Sequence, residues 1–311
     1  MLRRQAASAD YIKRLLEKSP MPRNQVAAIS GLTNTYIRDL EKGIIANVAR
    51  EKLISLAVAF NLNLMEIDQM LMIFDRAPLT EDDIPTFLQI AEKGGISSAL
   101  LPVRDRYALD LIMLSTERIP GRHVLVTNEP PVSLRSEGHR KHSEERLASM
   151  HIIYHELVEA IGRERRKAVE ANLAAYAMDV YVCSNCLQEY IRYCNDPIEK
   201  SWRIKHIKTI IEFIEKFDNW HFRLTESCPT FCFILKIPAP HTKKKNQCIL
   251  TNLPRHQFQT KIGGKLTGFV TDNPVFIENF INELIRVEQV VLEEYFDRRK
   301  LIDFLTNVQK Q

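Results

Sequence analysis

The chain has 311 residues, 45% of them apolar and 26% charged, with only 10 glycines and 14 prolines; this excludes a collagenous or disordered chain and is too long for one small module. The net charge of +4 is small, and no run of about 18 apolar residues suggests a membrane span. The opening MLRRQAASADYIKRLLEKS lacks the apolar stretch of a secretory signal, so a cytoplasmic protein with no membrane partner is expected, its six cysteines kept as thiols.

In chain order, residues 10–18, 23–31, 34–42, 50–60 and 64–74 carry apolar side chains at helical spacing with short gaps between them, which predicts a compact five-helix unit over 1–75. Charge is unevenly placed here. Residues 1–52 hold ten Lys/Arg against five Asp/Glu, and residues 53–83 hold one Arg against six acids. A basic first segment suits a polyanion, because each neutralised phosphate releases condensed counterions.

Within the unit, Gly31 is placed to turn the chain after one helix, and Thr33 is a good N-cap for the next. Ala27 is small enough to let two helices cross closely, with Ile37 and Leu40 packing against it. Asn34, Thr35, Arg38 and Asp39 remain on the other face. Short amide, hydroxyl and guanidinium groups near a helix N-terminus are the chemistry that meets base edges in a major groove.

The stretch RNQVAAISGLTNTYIRDLEKG, followed by LISLAVAFNLNLMEIDQML, resembles the lambda-repressor and Cro type of helix-turn-helix, the XRE family, over roughly residues 8–74. The resemblance rests on an alanine and a glycine four apart, a threonine before the recognition helix, an isoleucine inside it, and a Glu-x-Gly ending. It implies a DNA-binding transcription regulator acting on a double-stranded operator. By position it places Thr33, Asn34, Thr35, Arg38 and Asp39 at the groove and Arg23, Lys42 and Asn47 at the phosphate backbone. Tyr36 is either a packing residue or a phosphate contact. Arg23 stands where glutamine is frequent in the family, and the loop before the fourth helix lacks the usual proline.

Residues 76–118 read as a helical connector opened by Thr80 and three acids. From 119 to 311 the texture changes. Strands are expected at 122–127, 178–183, 221–226, 230–237, 247–251 and 266–271, and helices at about 143–176, 186–195, 199–217 and 274–296. The whole is a multi-domain chain, an all-α N-terminal domain followed by a larger mixed α/β or α+β domain. The Pro-rich and then basic NEPPVSLRSEGHRKHS is expected to be an exposed loop. The basic clusters at 139–142, 163–167 and 243–245 are expected to be solvated faces or extra phosphate contacts.

One small reading helix buries too little surface for tight specific binding, so a homodimer on two half-sites is expected. Phe276, Ile277, Phe280, Ile281, Leu284, Ile285, Val290 and Val291 form a wide apolar face that suits either dimerisation or a core helix. The larger domain is then free to sense an unknown small-molecule effector. Cys183 and Cys186 lie at a strand-to-helix junction and are candidates for redox or metal chemistry, with zinc or an iron-sulfur group conceivable, against the plainer reading of small buried side chains. Cys228 and Cys232, in or beside a strand, suit a metal less well. No enzyme is expected: there is no Gly-rich phosphate loop, G-x-S-x-G or H-E-x-x-H. His-x-Lys occurs at His139, His206 and His241 without the aspartate that would suggest a phosphohydrolase. His206 is expected on a helix surface. The alternatives are a cysteine-based redox or metal sensor and a nucleic-acid-processing or phosphohydrolase-like enzyme docked by its first domain.

Overall fold

Apolar residues at helical spacing fold the first part of the chain into five helices: α1 (Leu2–Lys18), α2 (Arg23–Ser30), α3 (Asn34–Glu41), α4 (Arg50–Ala59) and α5 (Leu64–Ile73). Their core contains Ile12, Val26, Ile37, Leu40, Leu53, Ile54, Leu56, Met70 and Leu71, each at most 2% exposed. The computed structural model describes residues 2–19, 21–45, 47–60, 62–87, 101–103, 106–140, 152–251 and 268–311.

The same apolar core continues past residue 75 through Leu79, Ile84 and Phe87 and takes in Leu111, Leu114, Leu157 and Ile161 from two further helices, α6 (Arg106–Arg118) and α7 (Ile152–Leu173). Arg50 fastens the join. Its guanidinium donates to Asp83 at 3.0 and 2.6 Å, to the carbonyl of Pro78 at 2.8 Å and to that of Ala77. Asp68 accepts the amide of Leu79 at 2.7 Å. These bonds satisfy polar groups that would otherwise be lost from water at the edge of the core.

Beyond this, the described residues form one seven-stranded sheet in the order β1-β7-β6-β5-β2-β3-β4. The strands are β1 (Leu101–Val103), β2 (Gly121–Thr127), β3 (Met178–Cys183), β4 (Trp220–Thr225), β5 (Cys232–Pro238), β6 (Gln247–Thr251) and β7 (Gly268–Thr271). β2, β3 and β4 run parallel, and the remaining neighbours pair antiparallel. The parallel strands need helical crossovers, which α7, α8 (Ser184–Arg192) and α9 (Pro197–Lys216) provide. Gly121 holds φ at 138°, and a Cβ there would lie 2.3 Å from the carbonyl oxygen of Ile237, so only glycine lets β2 and β5 approach at this end.

Strand alternation sends side chains to two faces. Val180, Val182, Phe222 and Leu224 pack under α8, α9 and the final helix α11 (Arg298–Gln309). Val124, Val126, Tyr181, Phe233 and Leu235 pack under α10 (Pro274–Glu288).

The expected strands therefore form, with end shifts of one or two residues, and the expected helices 186–195 and 199–217 appear as α8 and α9. The stretch 274–296 is not one helix: α10 ends at Glu288 and a short 3-10 turn covers Glu293–Phe296. The expected helix starts within 141–151 and the first residues of the expected strand 266–271 lie outside the described residues.

Two expectations are corrected. The stretch after β2 is not an exposed loop: Asn128, Ser133, Leu134, Arg135 and His139 are buried. His206 is not on a helix surface but is 1% exposed, its imidazole within 3.0 Å of the Tyr190 hydroxyl and of the Pro131 carbonyl. The basic clusters at 139–142 and 163–167 are likewise not wholly solvated. Arg140 pairs with Glu159 at 2.9 Å, and Arg165 is buried with Glu117 at 2.7 Å and Asp110 at 2.6 Å. Charged groups go inside here because each finds a fixed partner. By contrast Lys243, Lys244 and Lys245 are exposed.

Candidate nucleic-acid interface and a thiol cluster

Gly31 closes α2 in the left-handed conformation, φ 67°, with its amide donating to the carbonyl of Ala27. Two residues later the Thr33 hydroxyl accepts the amide of Tyr36 at 3.1 Å and starts α3. The two caps fix the angle between the helices. α3 then divides cleanly: Ile37 is 0% and Leu40 2% exposed, whereas Thr33, Asn34, Thr35 and Arg38 face solvent.

Asn34, Thr35 and Arg38 line a shallow, open depression together with Arg23 and Asn24 of α2. Donors, acceptors and positive charge thus meet at the N-termini of two helices, where backbone amides add a favourable field for anions. Asn24, exposed at the second position of α2, was not among the residues picked out by the sequence; its polarity and helix-start position were the available signal.

The other named residues divide by their surroundings. Arg23 makes an ion pair with Glu41 that ties the start of α2 to the end of α3. Asp39 is half-buried, 3.8 Å from the Arg38 Nε. Lys42 is exposed just past α3. Asn47 is exposed, and its side-chain oxygen accepts from Arg76, which also grips the carbonyl of Val48 at 2.8 Å. Tyr36 packs against the helical core while the Lys52 ammonium sits 4.3 Å from its ring centre.

Residues 12–67 match the family model described as helix-turn-helix. This segment is an XRE-type helix-turn-helix domain. The domain supports a DNA-binding regulator of that type. No curated protein and no solved structure matches the chain. Among the described residues no helix is long and apolar enough to cross a membrane.

A second cluster lies outside the helix-turn-helix domain. Cys183 ends β3, Cys186 follows in the first turn of α8, and Cys228 comes from the turn after β4. Because β3 and β4 are adjacent and parallel, their carboxyl ends share one edge of the sheet, and the three sulfur atoms all lie within 4.8 Å of one another. Cys186 and Cys228 Sγ are 3.0 Å apart. A thiol hydrogen bond from Cys186 pulls the Cys183 thiol down to about 5, and the Cys186 proton is held more tightly for the same reason. By sequence spacing Cys183 pairs with Cys186 and Cys228 with Cys232. The structure separates that second pair, since Cys232 lies at the start of β5 with its thiol 3.5 Å from the Asn128 side-chain oxygen.

The histidines of two His-x-Lys motifs also meet. His139 and His206 stack edge to face at 5.7 Å, with Arg135, Glu199 and Arg203 around them. Burial pushes both histidines below the ordinary range, while Glu199, buried as well, is held at about 2 by His139 and Arg203. Both rings are sealed from solvent, at 0% and 1% exposure.

Proposed function

We propose that the protein is a dimeric, sequence-specific transcription regulator in which Asn34, Thr35 and Arg38 read base edges while Arg23, Asn24 and Lys42 hold the phosphates. Thr33, Tyr36, Asp39 and Asn47 frame that surface: Thr33 and Asp39 fix the reading helix, Tyr36 presents Lys52, and Asn47 keeps a place at the backbone with Arg76. One observation carries the reading. The polar face of α3 is open beside the N-terminus of α2, while its apolar face is fully buried. Such a helix is pressed outward by its own packing, as major-groove insertion requires.

Two copies bring two reading helices onto half-sites about 34–36 Å apart or a multiple of this. The exposed Val275, Phe276 and Ile285 of α10 are the surface on which the copies pair, and a signal received by the sheet region alters their spacing and so operator affinity. No reaction is assigned to the protein. Selection of bound genomic fragments followed by footprinting tests the proposed function. A protected palindrome with half-sites one turn or a multiple apart is expected; protection without symmetry would remove the dimer, and equal affinity for random duplex would remove sequence reading.

A further inference from the structure

The structure assigns to Cys183, Cys186 and Cys228 a binding site for a single thiophilic metal ion, of the zinc(II) or copper(I) class, with one coordination position left for an outside ligand. The argument starts from donor type. All three ligand atoms are sulfur. Thiolates select soft or borderline ions and disfavour magnesium, calcium and manganese.

Size comes next. With metal–sulfur bonds of about 2.3 Å, three sulfurs around one tetrahedral ion stand roughly 3.8 Å apart. The three Sγ atoms already lie within 4.8 Å of one another, and the Cys186–Cys228 pair, at 3.0 Å, has only to open slightly. A four-iron cluster would need its ligand sulfurs considerably farther apart, so the spacing favours one ion over a cluster.

The frame is prepared in the backbone. Cys183 and Cys186 are separated by two residues across a strand-to-helix corner, and this helix start offers amide dipoles to thiolate charge. Cys228 is held over them by its turn, in which the Thr225 hydroxyl donates to the Ser227 carbonyl at 2.8 Å. The carboxyl edge of parallel strands is also the ordinary ligand-binding edge of an open α/β sheet.

The approach for an outside ligand is on the Cys228 side. Cys228 lines a cleft of about 140 Å³ bordered by Ser227, Thr230, Tyr181, Glu283 and Arg286. Clefts that hold organic ligands usually measure roughly 300–1,000 Å³. This one is the size for an ion and a water, a small anion or a thiol delivered from solvent. Among the described residues no fourth histidine, cysteine or carboxylate completes the cluster, so three protein ligands with one exchangeable position is the expected coordination. This site supplies the signal invoked above; its regulatory use rests on that reading, but its chemistry does not.

The test uses the full chain, reduced and metal-free, titrated with zinc(II) and with copper(I) under anaerobic conditions in competition with a chromogenic chelator. Cobalt(II) serves as a visible probe of sulfur ligation. One ion per chain is expected, with intense sulfur-to-cobalt charge-transfer absorption. Cys228→Ser, in a surface turn, should abolish that absorption and the tight binding with the far-ultraviolet dichroism unchanged, while Cys232→Ser should bind as the parent does. Zinc and copper competition together tell which ion the site prefers. Failure to bind either ion, binding unaffected by Cys228→Ser, or iron with acid-labile sulfide in the isolated protein would each overturn the proposal. Operator affinity is then compared between loaded and stripped protein. A change of several-fold supports the regulatory use, no change with metal still bound removes that use alone, and absence of any DNA binding counts against the function proposed above without touching the metal site.

Discussion

Arg23 and Arg38 line the same depression in different surroundings: Arg38 lies on the exposed face of α3, whereas Arg23 is tied to Glu41 at a helix start. On the function proposed above, Arg38 meets a base edge and Arg23 a phosphate. Asn34→Ala combined with Arg38→Ala should therefore lose discrimination between operator and random duplex, by about 1–3 kcal/mol per good base contact. Arg23→Ala should instead weaken both duplexes alike and reduce the salt slope by about 1. Affinities measured at several salt concentrations separate the two. Losses of equal size on operator and random sequence for all three changes would contradict the division.

Single buried residues also set the response to acid. His123 is sealed beside Lys236 and Arg165, and burial drives its imidazole from 6.5 to about 3. The unfolded chain takes up this proton as pH falls below 6.5 and the folded chain does not. Stability should thus drop progressively from 6.5 toward 3, with His206 acting in the same direction. Thermal melting across this range should show a shallower acid limb for His123→Leu than for the parent. Lys236 behaves alike at the alkaline end: burial lowers it from 10.5 to about 8, so the folded state gains relative stability as pH rises through that interval.

At the scale of elements, what was legible in the sequence follows from periodicity. The helices α1 to α5 declare themselves because apolar side chains recur at the spacing of one buried face, and the strands β3 and β6 because each is a short apolar run. α11 carries Leu301, Leu305 and Val308 at the same spacing, although the sequence reading assigns no element past residue 296. β1, at three residues, is too short to show any period. The loop after β2 misled for a different reason: Arg135, His139 and Arg140 look equally suited to water, and only their partners Glu129, Glu199 and Glu159 explain why they lie inside. Glu159 and Glu199 are distant in sequence, so no local pattern reveals them, and Glu129, six residues before Arg135, sits in the same polar-looking stretch. The joining of Cys228 to Cys183 and Cys186 is similar. It depends on β3 and β4 being parallel neighbours, although a cysteine three residues past a strand end was a usable hint.

α10 illustrates how one helix divides its surface. Ile277, Leu284 and Val287 are buried against the sheet, while Val275, Phe276 and Ile285 remain exposed. The inner residues form core, and the outer ones are those proposed above as the pairing surface. Phe276→Glu with Ile285→Glu should halve the mass in solution by light scattering and lower operator affinity steeply, with little change in melting temperature. A parent protein already monomeric at micromolar concentration would exclude this surface as the dimer contact.

For the whole molecule, the feature with the widest reach is the fastening by Arg50 of the segment after α5. Four donor bonds to Asp83, Pro78 and Ala77, and the ion pair of Glu81 with Arg163 at 3.7 Å, leave the turn little slack against α7. A reading head on a slack tether would find each half-site independently, whatever the rest of the chain did. A head bolted to a stem inherits the stem's tilt, so a small repositioning beside α7 becomes a mismatch of reach along the duplex.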